Sequence, residues 1–139
     1  MEDLAIMESP VETIRYGDFR AAVVDALRVL ADPEYQERVW IRHEFPPGIK
    51  YDELDYRVHI LFDDMVVLPD PEPAIGALIY PDEVDTLRAL GAVFESLIDE
   101  LGDVGDAEYL AHPRWTDVVR GAAEAYRVLH ANDVARGAG

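Results

Sequence analysis

Asp55, His59 and Asp63 recur at a spacing of four, which would set an imidazole between two carboxylates along one edge of a helix. Such a trio is able to contribute ligands to a divalent metal, or to act as a general base whose pKa the carboxylates raise. A metal site built this way also needs ligands from a facing helix. Asp63-Asp64, Asp52-Glu53 and Asp82-Glu83-Asp85 supply further acids of the kind that hold magnesium in helical hydrolases, but the paired ExxE arrays of those enzymes are missing. The residues therefore point to two uses. One is a metal-dependent hydrolase with Asp55, His59 and Asp63 as ligands. The other is an acidic docking face formed by Asp52, Glu53, Asp55, Tyr56, His59, Asp63, Asp64, Asp82 and Glu83, with no catalytic residue and no cofactor.

Nucleophilic chemistry finds little support. The chain has no cysteine, and Ser9 and Ser96 are its only serines. Ser9 reads as a helix cap, and Ser96 lies inside a helical pattern with no histidine near it in sequence. The glycine-containing stretch Gly102-Asp103-Val104-Gly105-Asp106 is too acidic to cradle a phosphate. His112-Pro113-Arg114-Trp115 reads as a helix start with an inward tryptophan. Trp40 and Trp115 are expected in the core. Tyr51, Tyr56, Tyr80 and Tyr109, in or beside the acidic middle of the chain, are candidate contact residues.

The 139 residues carry 29 Asp and Glu against 12 Lys and Arg, a formal charge of −17. The imbalance is local: residues 52–108 hold sixteen acids and two bases, Arg57 and Arg88. Half the residues are hydrophobic, and Leu, Ile, Val and Phe far exceed the roughly 20% below which a charged chain stays disordered. One folded domain over 1–139 is expected, with residues 1–8 and 132–139 as frayed tails. No apolar run nears the roughly 18 residues of a membrane span, and the acidic start lacks a signal peptide's basic region. These features imply a cytoplasmic protein that leaves membranes and nucleic acid alone, the latter because phosphate needs clustered Lys and Arg. A one-sided field of this strength favours a basic protein partner; the chain itself would be a monomer or homodimer.

Positioning these residues requires helices. Ser9-Pro10-Val11-Glu12 is a capping-box pattern for a short first helix. Asp18 is expected to cap a second, with Ala22, Val23, Ala26, Leu27 and Leu30 inward. Asp32-Pro33-Glu34 opens a third that runs to about His43, where Phe45-Pro46-Pro47-Gly48 stops it. Asp52 is expected to cap a fourth, whose stripe is Leu54, Val58, Leu61, Phe62 and Met65. Val66-Val67-Leu68 is expected to be extended, Pro69, Pro71 and Pro73 to form a stiff connector, and residues 66–79 to allow one short β-hairpin. Pro81 starts the best-defined helix, ended by Gly102. A turn at Asp106 to Leu110 and a last helix from Pro113 complete a mainly-α, single-domain bundle of five to six helices.

Several segments also carry a resemblance. Asp32-Pro33-Glu34-Tyr35-Gln36 through Val39-Trp40-Ile41, Tyr51-Asp52-Glu53-Leu54-Asp55, His59-Ile60-Leu61-Phe62-Asp63-Asp64, Ile75-Gly76 and Tyr109-Leu110-Ala111-His112-Pro113-Arg114-Trp115 resemble an uncharacterised family of small acidic proteins from high-GC bacteria. More loosely, the His-x-x-Phe-Asp-Asp and Tyr-x-x-His-Pro-x-Trp segments resemble immunity proteins of contact-dependent inhibition and related polymorphic toxin systems. That second resemblance implies a protein that binds one cognate toxin domain and blocks it without chemistry of its own. Neither carries a catalytic residue over to this chain.

Overall fold

Three long helices set the frame in the computed structural model, which describes residues 13–137. They are α1 (Gly17–Leu30), α4 (Val84–Leu101) and α6 (Trp115–Ala135). Helix α6 packs against both others and runs antiparallel to each. Leu129 and Asp133 near its end meet Arg20 near the start of α1, and Gly121 faces Leu90 of α4. Two shorter elements cover the open sides. Helix α2 (Pro33–Tyr35) continues as a π-helical stretch over Gln36–Ile41, and α3 (Leu54–His59) continues the same way over Ile60–Asp64. Helix α5 (Asp106–Ala111) closes the loop between α4 and α6. The protein is thus a mainly-α bundle, and among the described residues no helix is long and apolar enough to cross a membrane.

The apolar periodicity explains the frame. Leu87, Leu90, Phe94 and Leu97 of α4 are fully buried, as are Val118, Ala122, Ala125 and Leu129 of α6. The Phe94 ring meets Phe62 and Trp115 edge-on, with centroids 5.8 and 6.0 Å away. Gly91 allows the Leu68–Pro69 segment to lie directly on α4, since a Cβ there would sit 3.0 Å from the Pro69 Cα. Trp40 and Trp115 are core residues, 3% and 5% exposed.

Local details depart from the sequence pattern. Asp32 does cap its helix, accepting from the Tyr35 N–H at 3.1 Å, but α1 starts at Gly17, with Asp18 inside its first turn. The third helix stops at Ile41 rather than His43, which takes a left-handed φ of 59°. No strand forms among the described residues, so the hairpin expected over 66–79 is replaced by turns and a single bridge between Ile75 and Ile79. The reason lies in the end of α3: the N–H groups of Val67 and Leu68 both donate to the Leu61 carbonyl. That wraps the chain back onto α3 and turns Val66 left-handed (φ 52°) instead of extended. The C-terminal tail begins later than expected, because α6 continues through Asn132 and Asp133 to Ala135. The side chain of Asn132 donates to Asp82 and Glu83 at 2.9 and 2.8 Å. The capping box at Ser9 and the expected tail at 1–8 lie outside the described residues.

Candidate functional site

Helix α3 has an inner and an outer edge, and what fixes its rotation is an arginine. Arg57 sits one turn from Leu54 and Leu61 and points inward with them, 6% exposed. Its Nε and Nη2 donate to the two oxygens of Asp52 at 2.9 and 3.1 Å, and its Nη1 reaches Asp25 of α1 at 3.0 Å. Asp52, 1% exposed, also accepts from the Tyr35 hydroxyl at 2.8 Å and Trp40 Nε1 at 3.0 Å. Burial works against the Arg57 charge, yet its bonds to Asp52 and Asp25, and their charges, outweigh it and hold the pKa above its ordinary value. One carboxylate thereby joins α2 to α3, and Asp25 adds α1.

Asp52 is thus a buried structural acid and leaves the docking set. It does not cap α3 either; Asp106 from α5 does so across the fold, accepting from the Leu54 N–H at 3.1 Å. Glu83 is likewise wholly buried, its two oxygens gripping Arg20 at 2.9 and 2.8 Å. Asp82 is exposed but sits at the start of α4, while Gly102 marks the other end. An 18-residue helix is about 27 Å long, so Asp82 and Glu83 are remote from the acids beside Gly102.

With the arginine turned inward, the outer edge of α3 presents Asp55, Tyr56, His59, Asp63 and Asp64, all exposed. Glu53 is half-buried and accepts from the exposed Tyr51 hydroxyl at 3.2 Å. Helix α5 and the loop before it add Asp103, Asp106 and Glu108. Among the described residues no Lys or Arg forms an ion pair with any of these acids; His59 alone does, through Nε2 to Asp55 at 3.4 Å and Nδ1 to Asp63. Asp63's hydrogen bond first, then the charge of Asp55, raises the His59 pKa above its ordinary value. Acids elsewhere are commonly neutralised: Arg28 pairs with Asp25, Arg88 with Asp70, Arg114 with Glu100 and Arg127 with Glu124.

The same geometry bears on metal binding. Asp55 and Asp63 bond opposite nitrogens of the His59 ring, so a single ion on either nitrogen leaves one carboxylate on the far side. Among the described residues no three His, Asp or Glu side chains are arranged to hold a metal.

Beside this edge lies a groove of about 250 Å³ between the start of α3, the end of α4 and α5. Leu54, Val58, Ile98 and Val104 give it apolar walls, and Asp55, Asp103 and Asp106 stand among them. Burial pushes the Asp106 carboxyl above the ordinary carboxylate value. The Leu54 bond opposes that rise, and the charges of Glu53, Asp55 and Asp52 add to it. Tyr109 borders the groove and donates to the Gly102 carbonyl at 2.6 Å, pinning the loop.

Sequence reasoning assigned Asp52 and Glu83 to the surface and missed Arg20, Gln36 and Arg57 as buried groups. Gln36, fully buried, donates to the last-turn carbonyls of Val29 and Leu30 at 2.9 and 3.0 Å and accepts from Trp115 Nε1 at 3.0 Å. A signal was present. Arg20 and Gln36 each occur three residues before an apolar position of their own helix, Val23 and Val39, and Arg57 falls between Leu54 and Leu61 of its stripe, three residues after one and four before the other.

The class defined by this architecture is a small helical bundle with an un-neutralised acidic edge. Residues 14–136 match the family described as Domain of unknown function (DUF7945), and the chain belongs to that family. No curated protein and no solved structure matches it.

Proposed function

We propose that this protein is a non-catalytic binding module that docks a basic protein through the α3–α5 edge, in the manner of an immunity protein holding a toxin domain. The observation that carries the reading is the inward turn of Arg57. Among the described residues, it leaves Glu53, Asp55, Asp63, Asp64, Asp103, Asp106 and Glu108 with no ion-pair partner but His59. An unbalanced field of this kind costs self-repulsion in the free protein and is relieved by a complementary surface, which it also attracts at long range. Exposed Tyr51 and Tyr56 amid the acids add the aromatic area that interface centres favour. The resemblance of the His-x-x-Phe-Asp-Asp and Tyr-x-x-His-Pro-x-Trp segments to immunity proteins supports this reading.

The test is affinity capture from lysate of the source cells at low salt, with a salt step for elution. Recovery of one basic protein that binds the purified chain stoichiometrically, with affinity falling as salt rises, supports the proposal. Recovery of none, or of partners whose binding ignores salt, contradicts it.

A further inference from the structure

The groove beside α3 combines three features that together select a ligand. Its volume, about 250 Å³, admits a single long side chain. Its walls are apolar at Leu54, Val58, Ile98 and Val104, which suits an aliphatic stem. Its charge is wholly negative: Asp55, Asp103 and Asp106 line it. The C-terminal end of α4 adds to that sign, since Ile98 and Gly102 border the groove and the last turn of α4 carries no basic residue. The negative pole of this 18-residue helix therefore meets the groove, while Arg114, paired with Glu100 in the same turn, is not among the groove's lining.

We infer that this groove is a receptor for one arginine side chain of a basic partner, its stem along Leu54, Val58 and Val104 and its guanidinium between Asp55, Asp103 and Asp106. Arginine suits the site better than lysine because its head is weakly hydrated and its planar fork meets several carboxylate oxygens at once. The inference rests on the docking reading and names the anchor within it.

Acetyl-arginine-amide and its neutral isostere acetyl-citrulline-amide are the probes, titrated into the ¹⁵N-labelled chain at low salt. Arginine is expected to give saturable amide shifts at Leu54, Val58, Gly102, Val104 and Tyr109, with citrulline at least tenfold weaker. The double variant Asp55→Asn/Asp103→Asn, which leaves the Asp106 cap and the buried cluster in place, is expected to weaken arginine at least fivefold. Absence of saturation, equal binding of citrulline, shifts centred on Asp63 and Asp64, or an unaffected double variant would overturn the groove assignment. A captured partner that needs Asp63 and Asp64 but ignores Asp55→Asn/Asp103→Asn overturns the arginine receptor and leaves the docking reading standing. A captured partner that ignores every acid on the edge overturns the docking reading and the arginine receptor together, whatever the free arginine probe does.

Discussion

Replacing Asp52 by Ala should cost folding stability, because the orientation of α3 depends on it. The wild-type carboxylate accepts four hydrogen bonds, from Tyr35, Trp40 and twice from Arg57, and is itself 1% exposed. Removal leaves the Arg57 guanidinium, 7% exposed along its side chain, with only Asp25, which is 45% exposed. It also strands two neutral donors. Breaking one side of a buried ion pair costs about 3–5 kcal/mol, and the orphaned hydroxyl and indole push toward the upper end. With a urea dependence of about 1.5 kcal/mol per molar, the midpoint should fall by about 2–3 M. Trp40 and Trp115 fluorescence gives the readout. Asp63→Asn on the exposed edge is the control and should stay within about 0.5 kcal/mol of wild type. In a double-mutant cycle, Arg57→Met should recover about 1–3 kcal/mol of the Asp52→Ala loss, since the stranded charge is then gone. A loss below about 1 kcal/mol, or strict additivity with Arg57→Met, would refute the claim that this cluster holds α3 in place.

Three other outcomes follow from single contacts. Gly91→Ala gains about 1 kcal/mol of helix propensity but drives a Cβ to 3.0 Å from the Pro69 backbone. Overpacking costs about 1–3 kcal/mol, so thermal melting should show net destabilisation; an unchanged or higher Tm would show that the connector yields freely. Val66, exposed and left-handed at φ 52°, carries steric strain that Asn tolerates far better, so Val66→Asn should stabilise by about 1 kcal/mol in urea titration. A loss would mean that the valine side chain contributes packing that outweighs the strain. His59 should titrate above its ordinary value in an NMR pH series, and Asp63→Asn should lower it. The sign for stability is fixed by that direction: the folded state holds the proton more tightly, so the contribution is full below the unfolded pKa near 6.5 and fades as pH rises through the folded one. A His59 that titrates at or below its ordinary value would contradict the observed ring contacts.

Much of the fold was legible because period carries it. The stripes of α4 and α6, the Asp32 cap and the stop at Gly102 follow from spacing and from the few residues that suit helix ends. The edge of α3 was legible too, since Asp55, His59 and Asp63 share a face at any helical rotation near the observed one. Burial of polar groups was harder to read, because it depends on partners distant in sequence. Glu83 looks like a first-turn acid until Arg20, 63 positions away, arrives from α1. Asp52 looks like a cap until Tyr35 and Trp40 close over it, whereas the capping falls to Asp106, 52 positions beyond the Leu54 N–H it accepts from. The hairpin failed for a related reason: the Val and Ile content of 66–79 favours strands locally, but the Leu61 carbonyl captures two of the N–H groups that pairing would need.

The most direct test of the account is the association rate of a captured basic partner with the double charge reversal Asp63→Lys/Asp64→Lys. The comparison is wild type and a reversal at Glu124, on α6 and already paired with Arg127. Stopped-flow or surface binding at low and high salt gives the rates. The account predicts at least a tenfold slower association for the α3 variant at low salt, a difference that shrinks as salt screens the field, and little change for Glu124→Lys. Equal rates for all three proteins at low salt, with folding unchanged, would contradict it.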